Sequence, residues 1–163
     1  MRGRDDETPS VELVNVVMQG GEYGGSGHNA LFSVTDSVLL NFPIGLWYPK
    51  GNVEIARNLF LGRATINAGT DVDSDVIVEV RITNNFFKGN ASIENWAAYG
   101  GGGVILRHNS FVDFESEVNL GDAAYTTYIV TATQETSVSI DARENYWDVF
   151  DDDAISKLIY DRN

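Results

Sequence analysis

Four segments of the chain share one arrangement of apolar and polar positions. An apolar residue is followed two places on by another, then three further by asparagine, and two after that by an aromatic. The segments are Val53-Glu-Ile55-Ala-Arg-Asn58-Leu-Phe60, Val80-Arg-Ile82-Thr-Asn-Asn85-Phe-Phe87, Val104-Ile-Leu106-Arg-His-Asn109-Ser-Phe111 and Ile140-Asp-Ala142-Arg-Glu-Asn145-Tyr-Trp147. Two looser copies precede them: Leu31 to Val38 sets Asp36 in the asparagine place, and Val11 to Met18 sets Val16 there. Alternation across each apolar pair predicts a strand with one buried face, and Val and Ile suit such a pleated surface. The anchors at 16, 36, 58, 85, 109 and 145 are spaced 20, 22, 27, 24 and 36 residues apart. A recurrence of that size predicts a solenoid of about six coils, roughly 29 Å long at ~4.8 Å per coil.

The repeated polar residue carries its own expectation. Asparagine tolerates a left-handed backbone, and its amide both donates and accepts. Stacked at one turn, Asn58, Asn85, Asn109 and Asn145 would bond to one another or to backbone in adjacent coils, with Phe60, Phe87, Phe111 and Trp147 stacked in the strand that follows. Glycine stands two residues after the aromatic or its substitute at Gly20, Gly62 and Gly89.

This pattern resembles the right-handed parallel β-helix of the pectin-lyase-like superfamily, with its asparagine ladder. The stretch from Asn145 to Asp161 resembles the closing segment of bacterial β-helix repeat proteins, although Asp148 stands where glycine is usual there. The resemblance covers about residues 11 to 163. It implies an all-β solenoid and says little about activity, since one fold hosts many functions. The alternative is a leucine-rich-repeat-like solenoid, whose Leu-x-Leu-x-x-Asn-x-Leu core the same copies satisfy. Against it stand the loose period and the lack of Leu-rich helical segments.

A solenoid exposes strand edges and core at both ends, so caps are expected. Residues 148–163 read as a C-terminal cap: Asp151 to Asp153 open a helix, and Ala154, Ile155, Leu158 and Ile159 form its apolar face. Residues 1–10 read as a disordered segment before a single domain spanning 11–163. The first coil has no comparable lid, which predicts homo-oligomerisation through it or a further portion upstream. Two insertions interrupt the period: Gly20–Asn29, and the excursion between Asn109 and Asn145, where Thr126 to Thr133 reads as a strand.

Composition narrows the partners. Asp and Glu number 24 against 11 Lys and Arg, a net charge of −13. Such a surface repels phosphate backbones and anionic membranes, so neither nucleic acid nor a membrane is expected. Cysteine is absent, which removes disulfides and thiolate chemistry. Met1 to Ser10 carries no apolar h-region, so no signal peptide is read; localisation stays open, extracellular or periplasmic if the chain is a piece of a longer exported protein.

Candidate chemistry gathers on the repeat's first strand. One outward column is expected to run Glu12, Phe32, Glu54, Arg81, Ile105, Asp141, and its neighbour Val14, Val34, Ala56, Thr83, Arg107, Arg143. Arg81, Arg107 and Arg143 would line a groove for an acidic or hydroxylated polysaccharide, with Trp96 and Tyr99 available for sugar stacking. The competing reading pairs Glu54 with Arg81 and Asp141 with Arg107 as surface ion pairs. Arg107, His108 and Asp141 are the candidates for catalysis, although the polygalacturonase and pectate-lyase signatures are not reproduced. His28 and His108, the two histidines, make no zinc site. Asp71, Asp73 and Asp75 alternate as in calcium loops but lack an EF-hand's glycine, so calcium is the one cofactor considered. The expected function is a carbohydrate-associated domain that binds rather than catalyses. The alternatives are a polysaccharide lyase or hydrolase on the same face, and an assembly module joined through the first coil.

Overall fold

The computed structural model describes residues 8–20, 25–28, 30–47, 49–68, 78–95, 103–114, 130–132 and 139–160. The chain is an all-parallel β-solenoid with three faces, each a six-stranded sheet. The first sheet contains β1 (Ser10–Val14), β4 (Leu31–Thr35), β7 (Val53–Ala56), β10 (Val80–Thr83), β13 (Gly103–Arg107) and β16 (Ser139–Asp141). The second contains β2 (Val17–Gln19), β5 (Val38–Leu40), β8 (Leu59–Leu61), β11 (Phe86–Lys88), β14 (Ser110–Val112) and β17 (Tyr146–Trp147). The third contains β3 (Gly25–His28), β6 (Ile44–Trp47), β9 (Ala64–Ala68), β12 (Ala91–Asn95), β15 (Val130–Ala132) and β18 (Ile159–Tyr160). Three is thus the number of faces and six the number of strands stacked in each, with one short helix, α1 (Asp152–Ser156), near the C-terminus.

Register places like residues over one another. Leu13, Val34, Ile55, Ile82 and Leu106 form one inward column of the first sheet. Met18, Leu39, Phe60, Phe87, Phe111 and Trp147 form that of the second. Ile44, Ile66 and Ile93 do the same in the third. The aromatic rings lie nearly parallel, with centroids 4.6, 4.8 and 4.6 Å apart from Phe60 to Trp147. One strand spacing is also a comfortable separation for stacked rings, so backbone pairing and ring stacking reinforce each other.

The bend between first and second sheets is made by two residues. The first takes a left-handed backbone: Asn15, Asp36, Arg57, Asn84, His108 and Glu144 all have φ between 54 and 62°. The second sends its side chain inward, and here the amides form the ladder. Asn58 Nδ2 donates to Asn85 Oδ1, Asn85 Nδ2 to Asn109 Oδ1, and Asn109 Nδ2 to Asn145 Oδ1, each at 3.0 Å. Every one of these donors also reaches a carbonyl of the preceding coil: Val34, Ile55 and Ile82 in turn. The left-handed strain therefore falls on the residue before each asparagine, not on the asparagine itself.

The looser second copy is shifted by one place from the sequence reading. Ser37, not Asp36, occupies the ladder: its N–H donates to Asn58 Oδ1 at 3.0 Å, and its Oγ accepts from Val16 N at 3.1 Å. Asp36 is the left-handed residue beside it. A one-residue slip exchanges the faces of a strand, so Phe32 and Val34 are buried rather than outward; Ser33 takes the first column place, while Thr35, in register with Ala56, is buried as well. Ala56, expected outward, is also buried.

The ends differ from expectation as well. Pro9 O accepts from Leu31 N at 2.9 Å and Ser10 opens β1, so the solenoid takes in part of the segment read as disordered. The helix stops at Ser156; Ile159 belongs to β18, which pairs with β15, rather than to a helical face. Asp151 caps the helix by accepting from Asp153 N, while Leu158 is buried and Ile155 and Ile159 lie against the core. Part of the strand read within 126–133 is β15, a member of the third sheet.

Candidate functional site

The outward face of the first sheet carries Arg81, Arg107 and Asp141, and the bend beside it carries His108 and Arg143. Its column runs Glu12, Ser33, Glu54, Arg81, Ile105, Asp141. At the end nearest the cap, two guanidinium groups converge on one carboxylate. Arg143 Nε and Nη2 both donate to Asp141 at 2.9 Å, and Arg107 Nη2 donates to the same side chain. The Arg143 fork, then Arg107, holds the Asp141 carboxyl far below its usual range. Asp141 in turn raises Arg143. Glu144 completes the cluster, with His108 Nε2 at 3.1 Å and Arg107 Nη1 at 3.8 Å from its Oε2.

This arrangement limits the chemistry available. Arg107, on β13, and Arg143, in the turn after β16, would repel each other without an anion between them, and the chain supplies its own in Asp141. A polysaccharide carboxylate would have to displace an internal partner already held by the Arg143 fork and by Arg107 Nη2. A carboxyl so stabilised as its anion is a poor general acid at neutral pH. His108 has a left-handed backbone and an exposed side chain facing Glu144, with the arginines beyond.

Arg81 and Arg57 are engaged as well. Arg81 pairs with Glu79 two residues back, not with Glu54 across the sheet. Glu54 lies 3.9 Å from Arg57, and Arg57 grips Asp36 through both of that residue's oxygens at 2.7 and 2.8 Å. That grip lowers the Asp36 carboxyl and raises Arg57. Trp96, Tyr99, Asp71, Asp73 and Asp75 lie outside the described residues, and of His28 only the backbone, in β3, is described. Among the described residues no group of three or more His, Cys, Asp or Glu is placed to hold a metal ion, and no helix is long and apolar enough to cross a membrane.

A face that the sequence reading overlooked is the outside of the third sheet. Gly45, Asn67 and Glu94 share one outward column, and Thr65 and Ser92 share its neighbour. Trp47, outward on the same strand as Gly45, is 48% exposed. A Cβ added at Gly45 would come within 3.3 Å of Trp47 Nε1, so the glycine leaves the space across which the indole lies. Ser92 Oγ donates to Glu94 at 3.1 Å, while Asn67 Oδ1 is shielded from solvent and accepts no hydrogen bond among the described residues. The signal was present as two near-copies, Ala64-Thr-Ile-Asn-Ala68 and Ala91-Ser-Ile-Glu-Asn95, each beginning six residues after a ladder asparagine.

No protein-family model, no curated protein and no solved structure matches this chain.

Proposed function

We propose that the chain is a carbohydrate-binding, non-catalytic β-helix that presents the outer face of its third sheet to a hydroxyl-rich polymer. The observation that carries this reading is the half-exposed Trp47 indole lying over Gly45, beside an outward field of hydroxyl, amide and carboxylate groups. A sugar ring offers an apolar face to an indole and hydroxyls to Thr65, Asn67, Ser92 and Glu94, and Trp and Tyr are the side chains suited to such mixed surfaces. The first sheet is the weaker host, because its arginines are already bonded to Asp141 and Glu79. The engagement of Asp141 by two guanidinium groups weighs against the lyase or hydrolase reading. We propose further that the solenoid is a right-handed β-helix of the pectin-lyase-like type. The amide ladder and ring stack support the pectin-lyase-like type, and parallel strands joined by crossovers are nearly always connected right-handedly.

The test is a glycan array covering neutral and uronic-acid polymers, read at low and at high salt. Binding that persists in about 1 M salt is expected, because screening removes charge attraction and leaves stacking. Trp47→Ala should weaken binding about tenfold, and Arg81→Ala should leave it within about twofold. Binding of no glycan, or equal binding by the Trp47→Ala protein, overturns the reading.

A second reading, assembly through the first coil, is favoured by one observation. β1, β2 and β3 each pair on one side only among the described residues, and Val17 on that coil is 82% exposed. Light scattering of the full chain and of a Val17→Asp variant tests it; a monomer in both cases removes it.

A further inference from the structure

The two ends of the solenoid close differently. At the far end the segment after β17 lies over the core: Val149 and Ile155 pack against it and Leu158 is buried. At the near end the inward side chains Val11, Leu13 and Met18 are only partly buried. One coil on, the same columns hold Phe32, Val34 and Leu39, all buried. Val14 and Val17 are exposed beside them, and among the described residues no strand pairs beneath this coil. The far end carries the complementary feature. Phe150 stands between Val149, which packs on the core, and Asp151, which caps α1. It is 90% exposed, the most of any large apolar side chain among the described residues. Resting on the reading of assembly through the first coil, we infer that copies of the chain join head to tail. Phe150 of one copy seats against Val11, Leu13, Met18 and Val17 of the next.

Topology selects this occupant. β2 and β17 are the two edges of one six-stranded sheet, five steps of ~4.8 Å apart. The strand before Phe150 is thus about 24 Å from its own first coil, and the ring reaches only another copy's. A two-fold contact between two first coils would cover Val17 but leave Phe150 in water. It would also reverse the strands: a two-fold axis that lays β1 on its copy lays β2 on β3, so the three edges do not match. Head-to-tail stacking keeps the direction of every strand and covers both ends with one contact. The chemistry agrees. Met18 begins the column that runs through Leu39 and Phe60 towards Trp147, and a ring beneath it lengthens that column by one step. A thioether is flexible and favours contact with aromatic rings. Between residues 8 and 20 the one charged residue is Glu12, on the outward face of the first sheet. The Asp residues beside Phe150 therefore meet an almost uncharged end.

The test is sedimentation velocity on the full chain at up to about 1 mM, where a contact of small area is populated. Salt of about 0.5 M screens the long-range repulsion between chains of net charge −13. The parent should grow beyond a dimer as concentration rises, because copies joined end to end along one axis do not close. Val17→Asp and Phe150→Asp, both at exposed positions, should each weaken association at least about tenfold with the thermal transition retained. Mixed one to one, the two variants should restore a dimer and nothing larger. The intact Phe150 of one then seats on the intact first coil of the other, and the two altered ends stay free. If Val17→Asp fails to fold, Val14→Asp replaces it. A parent that stays monomeric overturns both this inference and the assembly reading. A dimer that Val17→Asp abolishes and Phe150→Asp leaves intact overturns the inference alone, because two first coils then meet each other. A mixture of the two variants that stays monomeric also overturns it.

Discussion

Asn85 Oδ1 accepts both N–H groups of Asn58, the backbone one at 2.9 Å and the side-chain one at 3.0 Å. One oxygen thus closes the bend of the preceding coil and fixes the orientation of its amide. Asn85 Nδ2 meanwhile serves Ile55 O and Asn109 Oδ1. Replacing Asn85 by leucine strands the Asn58 N–H and the Ile55 carbonyl in a buried column. Each orphaned group costs about 1–3 kcal/mol, so a loss of about 3 kcal/mol or more is expected in denaturant unfolding. Asn145 is the half-buried last rung, and Asn145→Ala should cost clearly less. Equal losses at the two positions would contradict a ladder that draws its strength from burial.

Phe87 sits between Phe60 and Phe111, in parallel contact with both. Truncation to alanine opens a cavity inside the stack and should cost about 3–5 kcal/mol. Phe87→Leu keeps most of the volume but forfeits two ring contacts worth ~0.5–1.5 kcal/mol each. Met18, in the same column on the first coil, is only partly buried, and its truncation should cost less than that of Phe87. Thermal unfolding of the three variants ranks them; a Met18 loss as large as the Phe87 loss would place the core elsewhere.

The four asparagine copies were legible because their chemistry is specific: a buried amide followed at fixed distance by a ring has few other uses. The second copy was not, because Asp36 offers the more amide-like side chain while the shorter Ser37 hydroxyl fills the slot. Nothing in the spacing distinguishes a hydroxyl facing in from a carboxylate facing out. Arg107 and Asp141 were legible as neighbours from the repeat alone, but the partner of Arg81 was not. A pair such as Arg81 with Glu79 depends on side-chain reach along the chain, which register does not determine. The third sheet was the least readable. Only β9 and β12 share a start and an Ala-x-Ile pattern; β6, which carries Trp47, matches neither, so Trp47 looked like one aromatic among 18.

Six non-glycine residues hold the left-handed bend, and they are not equally suited to it. Asn15, Asp36 and Asn84 tolerate that backbone, whereas Arg57, His108 and Glu144 carry longer side chains at φ 57, 56 and 62°. His108→Asn should therefore be neutral or stabilising by about 0.5 kcal/mol, the relief being partly offset by loss of the exposed contact with Glu144. His108→Val puts a β-branched side chain at positive φ and should cost about 1–2 kcal/mol. Urea unfolding midpoints should fall in the order Asn, His, Val from high to low. A valine variant as stable as the parent would mean that the bend relaxes without strain.

Acid should release the charged cluster near the cap before the core melts. The Asp141 carboxyl is depressed first by Arg143 and then by Arg107, and the Asp36 carboxyl by Arg57. A carboxyl depressed in the folded state binds its proton more readily when unfolded. Its contribution to stability is therefore complete well above the ordinary value of 3.8. It is lost as pH falls from about that value through the depressed folded one. The parent protein should thus lose stability steadily as pH drops below about 4, while Asp141→Asn, which cannot titrate there, should show a shallower slope. At neutral pH the same variant should be less stable, because Arg107 and Arg143 then face each other without their shared anion. Unfolding free energy measured against pH for both proteins checks this. Parallel curves would mean that Asp141 is no more tightly held in the folded chain than in the unfolded one.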